Sequence, residues 1–171
     1  VVYVMMESWS GFLFDYHSRD NNLLSSLEKH VKEDVLFRNS ISFASSTLPS
    51  MEAMITGKEI RDVFIWNSPF RFKSFESSIA KIYKDKGYRT VFITSGKMGW
   101  RNLNQWVPKQ GFDELYGQND ILSKYDDAEE CAWGVYDEYS FRLAHDILKE
   151  EKEKPLFIFV MATTNHTPYE V

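Results

Sequence analysis

Three strand-like runs with apolar centres recur along the chain, each followed by small or polar residues. VVYVMM (1–6) leads to Glu7, Ser8 and Ser10, RTVFITSG (89–96) to Trp100 and Arg101, and LFIFVMA (156–162) to TTNHTPY. Such runs suit strands buried on both faces of a parallel sheet. The segments between them carry helical periodicity. Leu23, Leu24, Leu27 and Val31 predict an amphipathic helix over 21–31. A second helix is predicted over 74–86, with Ile79 and Ile82 among its apolar positions and Gly87 as its stop. A short helix is expected over 104–110. A long one is expected over 136–152, with Phe141, Leu143, Ala144 and Leu148 turned inward. Residues 35–43 alternate enough to predict a short strand, 64–72 read as a loop packed on the core, and 111–117 as a turn with aromatic anchors. The acidic run 126–130 reads as a solvated loop or helix start. The alternation predicts an α/β domain with a largely parallel sheet flanked by helices, its strand order left open.

Residues 42–57, SFASSTLPSMEAMITG, form a small-hydroxyl loop running into a short amphipathic helix. Pro49 suits a first helical turn, Thr47 is the expected N-cap and Gly57 the expected stop. A hydroxyl at a helix N-terminus can simply cap it. It is also where a nucleophile would meet a phosphate, because that end attracts anions.

Bulk numbers narrow the classes. The chain has 171 residues, 43% hydrophobic and 26% charged, which suits one globular domain with a real core. A net charge of −5 without a long basic run argues against a general nucleic-acid binder. Cys131 is the only cysteine, which excludes an internal disulfide and a thiolate metal centre. No apolar run approaches bilayer length, and VVYVMM lacks the basic flank of a signal peptide. Both ends read as cut, so a fragment of a longer protein is expected.

The predicted strands deliver Glu7, Trp100, Arg101 and His166 to one carboxyl edge of one sheet, where open α/β sheets bind ligands, and Thr47 near it. Singly, each has an ordinary reading: a capping carboxylate, a helix cap, a surface Trp and Arg, a turn histidine. Together, a carboxylate and a hydroxyl suit a divalent metal that activates the hydroxyl, with Arg and His holding phosphate oxygens. The reaction class would be attack of Thr47 on phosphorus.

These residues carry a resemblance. The chain resembles the alkaline phosphatase/sulfatase superfamily, closest to its phosphoglycerol transferase and lipoteichoic acid synthase branch. VYVMMES resembles the opening strand with its metal-binding Glu, and TLPSMEAMITG resembles the nucleophile segment. KPLFIFVMATTNHTPY resembles the strand and turn whose His contacts substrate, and GWRN more weakly resembles the Trp and Arg of the substrate pocket. The resemblance implies an alkaline phosphatase-like fold, Glu7 and Thr47 as metal ligands, Thr47 as nucleophile, and His166, Arg101 and Trp100 as substrate contacts. It implies a divalent metal, Mn2+ ahead of Mg2+ or Zn2+, given oxygen ligands. It also implies a phospholipid head group as donor, an alcohol or glycan acceptor, and a catalytic domain on the extracytoplasmic side of the cell membrane, held by segments outside this chain.

One departure weighs against activity of the chain alone. The family completes its metal site with a later Asp-His pair, and none of His17, His30, His145 or His166 directly follows an Asp. Residues 1–171 are therefore expected to be the N-terminal portion of a catalytic domain, inactive alone and a weak metal binder. The rivals are a sulfatase or phosphodiesterase hydrolase of the same superfamily, and a non-catalytic head-group-binding fragment. Sulfatases oxidise a Cys or Ser to formylglycine, chemistry that the extra methyl of Thr47 blocks.

Overall fold

The computed structural model describes residues 1–59 and 63–168. The chain divides into two compact units, Val1–Glu7 with Phe43–Val171, and Ser8–Ser42. The larger unit holds a sheet of four parallel strands in the order β1 (Val2–Met5), β6 (Leu156–Met161), β2 (Arg89–Thr94), β3 (Glu114–Tyr116). Its helices are α3 (Thr47–Thr56), α4 (Ile79–Asp85), α5 (Leu103–Trp106), α6 (Gln118–Lys124) and α7 (Asp137–Glu150). A two-stranded antiparallel hairpin, β4 (Glu130–Cys131) and β5 (Gly134–Val135), precedes α7.

The period-two alternation of the central strands decides which helix covers which face. Phe92 on β2 and Phe157, Phe159 and Met161 on β6 face one layer, packed with Met51 and Ile55 of α3, Ala80 of α4 and Trp106 of α5. Val91, Ile93, Ile158 and Val160 face the other, packed with Ile121 of α6 and Leu143, Ala144 and Ile147 of α7. The expected parallel α/β sheet is thus observed, and β2 and β6 are buried on both faces as predicted.

β1 is not. It forms in the expected place and pairs only with β6, so among the described residues it is an edge strand. Val2 and Val4 are 43% and 40% exposed, while Tyr3 stacks on Phe159 with ring centroids 5.1 Å apart. Apolar composition marked the strand, but burial of both faces needs neighbours that this edge does not have among the described residues.

Other expectations are corrected. Residues 35–43 form no strand, and Ile41 is 93% exposed: alternation makes a strand only where a partner supplies hydrogen bonds. The turn at 111–117 contains β3, too short at three residues to show a period. The short helix at 104–110 is α5 followed by a 3-10 turn, Pro108–Gln110, and the loop at 64–72 is two 3-10 turns, Ile65–Asn67 and Pro69–Phe72. On α7, Leu143 and Ala144 are buried, but Ile147 takes the inward position expected of Leu148, and Phe141 and Leu148 are exposed.

The smaller unit contains α1 (Phe12–Tyr16) and α2 (Leu27–Glu33). The helix predicted over 21–31 starts only at Leu27. Ser18 Oγ and Asn22 Oδ1 accept from the backbone N–H groups of Asn21 and Ser25, holding that stretch in turns.

Among the described residues no helix is long and apolar enough to cross a membrane.

Candidate active site

α3 starts where the sequence places it, with one change at its tip. Leu48, Met51 and Ile55 recur on one buried face. Pro49 sits in the first turn, and Gly57 ends the helix in the left-handed region (φ 66°), its N–H bonded to Ala53 O. Ser46, in extended backbone, occupies the N-cap position, and Thr47 is already the first helical residue. The Thr47 hydroxyl is therefore not a cap. It donates to Glu7 Oε2 at 2.6 Å. Upstream, Ser50 Oγ bonds both the N–H and the carbonyl of Ala44, fixing the loop that delivers Thr47.

This pair opens onto a cavity of about 180 Å³ at the carboxyl ends of β1, β2 and β6. Glu7, Thr47, Trp100 and His166, four of the five residues singled out from sequence, line it. Arg101 is not among the lining residues. Arg101 and Asn102 both take left-handed backbone (φ 47° and 55°), and the turn carries the guanidinium 4.4 Å over the Trp66 ring. Tyr169, within the quoted His166 motif, lies outside the described residues.

Three polar or aromatic lining residues, Lys97, Trp133 and Thr163, were not expected from the sequence. Lys97 follows Gly96 at the end of β2 and brings the cavity a cation. Its signal in the sequence is a lysine in the strand-end loop just before Trp100 and Arg101. Trp133, at the hairpin tip, packs on His166 with ring centroids 4.2 Å apart and donates Nε1–H to Thr167 O at 2.9 Å. His166 Nδ1 lies 2.7 Å from the same carbonyl. A carbonyl only accepts, so Nδ1 carries a proton and the neutral ring keeps Nε2 as its acceptor. Thr163, the third, belongs to the network beneath the cavity.

That network centres on buried Asp137, the first residue of α7. Its Oδ1 accepts from Ser95 Oγ (2.5 Å) and Thr163 N (2.8 Å), its Oδ2 from Thr164 N (2.9 Å), and its own N–H donates to Thr164 Oγ1. Ser95 and Thr163 hydroxyls also meet at 2.8 Å. One carboxylate thus clamps the ends of β2 and β6 at the positive end of a helix. Gly134 completes the floor: Val135 N bonds Ser95 O, and a Cβ on Gly134 (φ 151°) would lie 2.0 Å from that oxygen.

Glu7 and Thr47 offer a carboxylate and a hydroxyl oxygen side by side, a donor set that fits a hard divalent cation. Among the described residues no group of three or more His, Cys, Asp or Glu could hold a metal.

Comparison with known proteins agrees with this architecture. A family model described as Sulfatase matches residues 1–171. An ulvan-active sulfatase of Formosa agariphila is 25% identical over 182 residues, covering 99% of this chain and 36% of its own length. An alkaline phosphatase superfamily protein from Vibrio parahaemolyticus superposes with a TM-score of 0.84 at 23% identity, covering 99% of this chain and 41% of that one. The lipoteichoic acid synthase LtaP of Listeria monocytogenes also gives 0.84, at 16% identity, covering 100% of this chain and 42% of that one. At these identities the two structures show the shared fold. The chain spans about two-fifths of the length of these relatives.

Proposed function

Because the chain belongs to the sulfatase family, we propose that the whole protein is a metal-dependent phosphoryl-group transferase that uses Thr47 as nucleophile on a glycerophospholipid head group. The observation that carries this reading is the 2.6 Å contact between Thr47 Oγ1 and Glu7 Oε2 inside the strand-end cavity. A threonine cannot become formylglycine, so a covalent phospho-ester suits this site better than sulfate-ester hydrolysis.

Glu7 and Thr47 would hold a divalent cation, Mn2+ before Mg2+ or Zn2+; when bound it supplies charge neutralisation and lowers the pKa of a coordinated hydroxyl. Glu7 accepts the Thr47 proton and aims Oγ1 into the cavity. Lys97 faces the anionic oxygens of the head group, Trp100 walls its organic part, and His166 presents Nε2 to a hydroxyl. In the first half-reaction the Thr47 Oγ1–P bond forms, the P–O bond to the lipid alcohol breaks, and that alcohol leaves with a proton. In the second the acceptor O–P bond forms, the Thr47 Oγ1–P bond breaks, and the acceptor's proton passes to Thr47 Oγ1. The acceptor would be an alcohol or glycan, with the site on the extracytoplasmic side of the cell membrane.

The second reading is a hydrolase, favoured by the relative named as an ulvan-active sulfatase. Incubating the full-length protein with Mn2+, labelled phosphatidylglycerol and glycerol separates the two. The transferase reading expects labelled phosphodiester on glycerol, lost on chelation and in Thr47→Ala. Release of free sulfate from sulfate esters, without transfer, would overturn it.

A further inference from the structure

Beside the cavity lies a surface whose charge is opposite to that of the chain. Residues 63–75 and 95–107 carry Arg71, Lys73, Lys97 and Arg101 and no carboxylate, in a protein of net charge −5. These two stretches pack together: Asn102 Nδ2 donates to Trp66 O, and Arg101 lies 4.4 Å over Trp66 and 6.0 Å from the Trp100 ring. Next along the chain, Phe70 and Phe72 are 41% and 57% exposed. Lys73 Nζ sits 5.1 Å over the Phe70 ring and Arg71 4.6 Å over Phe72. Among the described residues, Arg71 Nε is buried without a hydrogen-bond partner. The backbone beneath is rigidly held, because buried Glu52 of α3 accepts from the N–H groups of Ile65 and Trp66 at 3.1 and 2.8 Å.

We propose that this aromatic and cationic ridge, running from Trp100 at the cavity to Phe72 and Lys73, is a binding surface for an anionic polysaccharide. Sugar rings offer apolar C–H faces that pack on exposed aromatic rings, and their sulfate or carboxylate groups match arginine and lysine. Both kinds of group alternate along the chain here, Phe70, Arg71, Phe72, Lys73, each cation over a neighbouring ring. A bilayer asks for another layout, with ring tips free to enter hydrocarbon and cations set back at head-group level. Here the cations lie on the ring faces. Exposed aromatics gathered in a patch mark interaction sites, and a locally positive field on a negative protein selects a polyanion. This binding needs neither Thr47 nor a cation, so it stands or falls apart from the proposed catalysis.

The test is a titration of tryptophan fluorescence with dextran sulfate, run beside neutral dextran, sodium sulfate and phosphatidylglycerol vesicles. Dextran sulfate, and neither neutral dextran nor sodium sulfate, is expected to bind at the ridge; vesicle binding belongs to the cavity and is expected to be unchanged in the ridge variants. Removing two cations in Arg71→Gln with Lys73→Gln should weaken dextran sulfate binding roughly tenfold. Phe70→Ala with Phe72→Ala should weaken it similarly. Lys149→Gln with Lys152→Gln, at the far end of α7, should leave it unchanged. If either ridge pair unfolds by circular dichroism, Lys73→Gln alone must still weaken binding. Dextran sulfate binding that ignores the ridge variants or falls equally in the Lys149/Lys152 control, binding of free sulfate ion, or vesicle binding that falls in the ridge variants would overturn the proposal.

Discussion

The two ends of the same parallel sheet use their polar groups in opposite ways. At the amino end, Arg89 opens β2 and donates two hydrogen bonds to Glu114 (2.6 and 2.8 Å) and one to Glu151 (3.0 Å). Tyr116 donates to Glu114 as well. Asp113 accepts from Thr90 N and Oγ1 and pairs with Lys84. Each charge there faces an opposite one. At the carboxyl end, Lys97 makes no ion pair among the described residues, and Thr47, Glu7, Trp100 and His166 share a cavity. The closed network ties strands together, and the open arrangement leaves groups aimed at a ligand. Asp137 reconciles the two, since a fully used carboxylate holds the floor on which the open groups stand.

Substitutions at the two ends should therefore separate activity from stability. The largest effect is expected from Thr47→Ala: transfer falls at least roughly 1,000-fold with an unchanged melting temperature, because the reacting oxygen is gone. Glu52→Ala comes next, on stability. It strands the N–H groups of Ile65 and Trp66 and should cost about 2–4 kcal/mol in urea unfolding. Lys97→Ala should lower kcat/KM roughly 10- to 100-fold with little change in stability, since a charge-assisted contact to an anion is lost. Arg89→Ala should do the reverse, costing about 1–2 kcal/mol while leaving transfer by the folded protein intact.

The smallest effect is a pH dependence of opposite sign in different carboxylates. The backbone N–H groups of Glu153 and Lys154, with Arg89, hold Glu151 down at about 2, and Arg89 first of all lowers Glu114. Their folded-state stabilisation is complete above the ordinary value of 4.5 and is lost as pH falls below it, for Glu151 down toward 2 and for Glu114 through its lowered value. Burial pushes Glu52 up, so its contribution declines as pH rises from 4.5 through its raised value. Urea midpoints between pH 3 and 7 should show the acid-side loss in the parent protein and a smaller loss in Arg89→Ala.

How much of this was legible in the sequence follows from what each pattern encodes. β2 and β6 read clearly because burial on both faces leaves an unbroken apolar run, and their carboxyl ends then placed Trp100 and His166. Composition could not show that β1 is an edge, because its residues are as apolar as those of β6. β3 and the β4–β5 hairpin were too short to carry a period, so Trp133 and the Asp137 clamp went unseen. Arg101 stays off the cavity lining for a conformational reason: two consecutive left-handed residues carry its guanidinium over Trp66, and sequence spacing does not reveal that turn.

The most direct measurement is peptide mass spectrometry of the full-length protein, acid-quenched during turnover of a phosphatidylglycerol donor with Mn2+. A phosphoglycerol adduct is expected on Thr47, absent in Thr47→Ala and diminished in Glu7→Gln. An adduct on Ser45 or Ser46, or turnover without a covalent adduct that persists in Thr47→Ala, would contradict it.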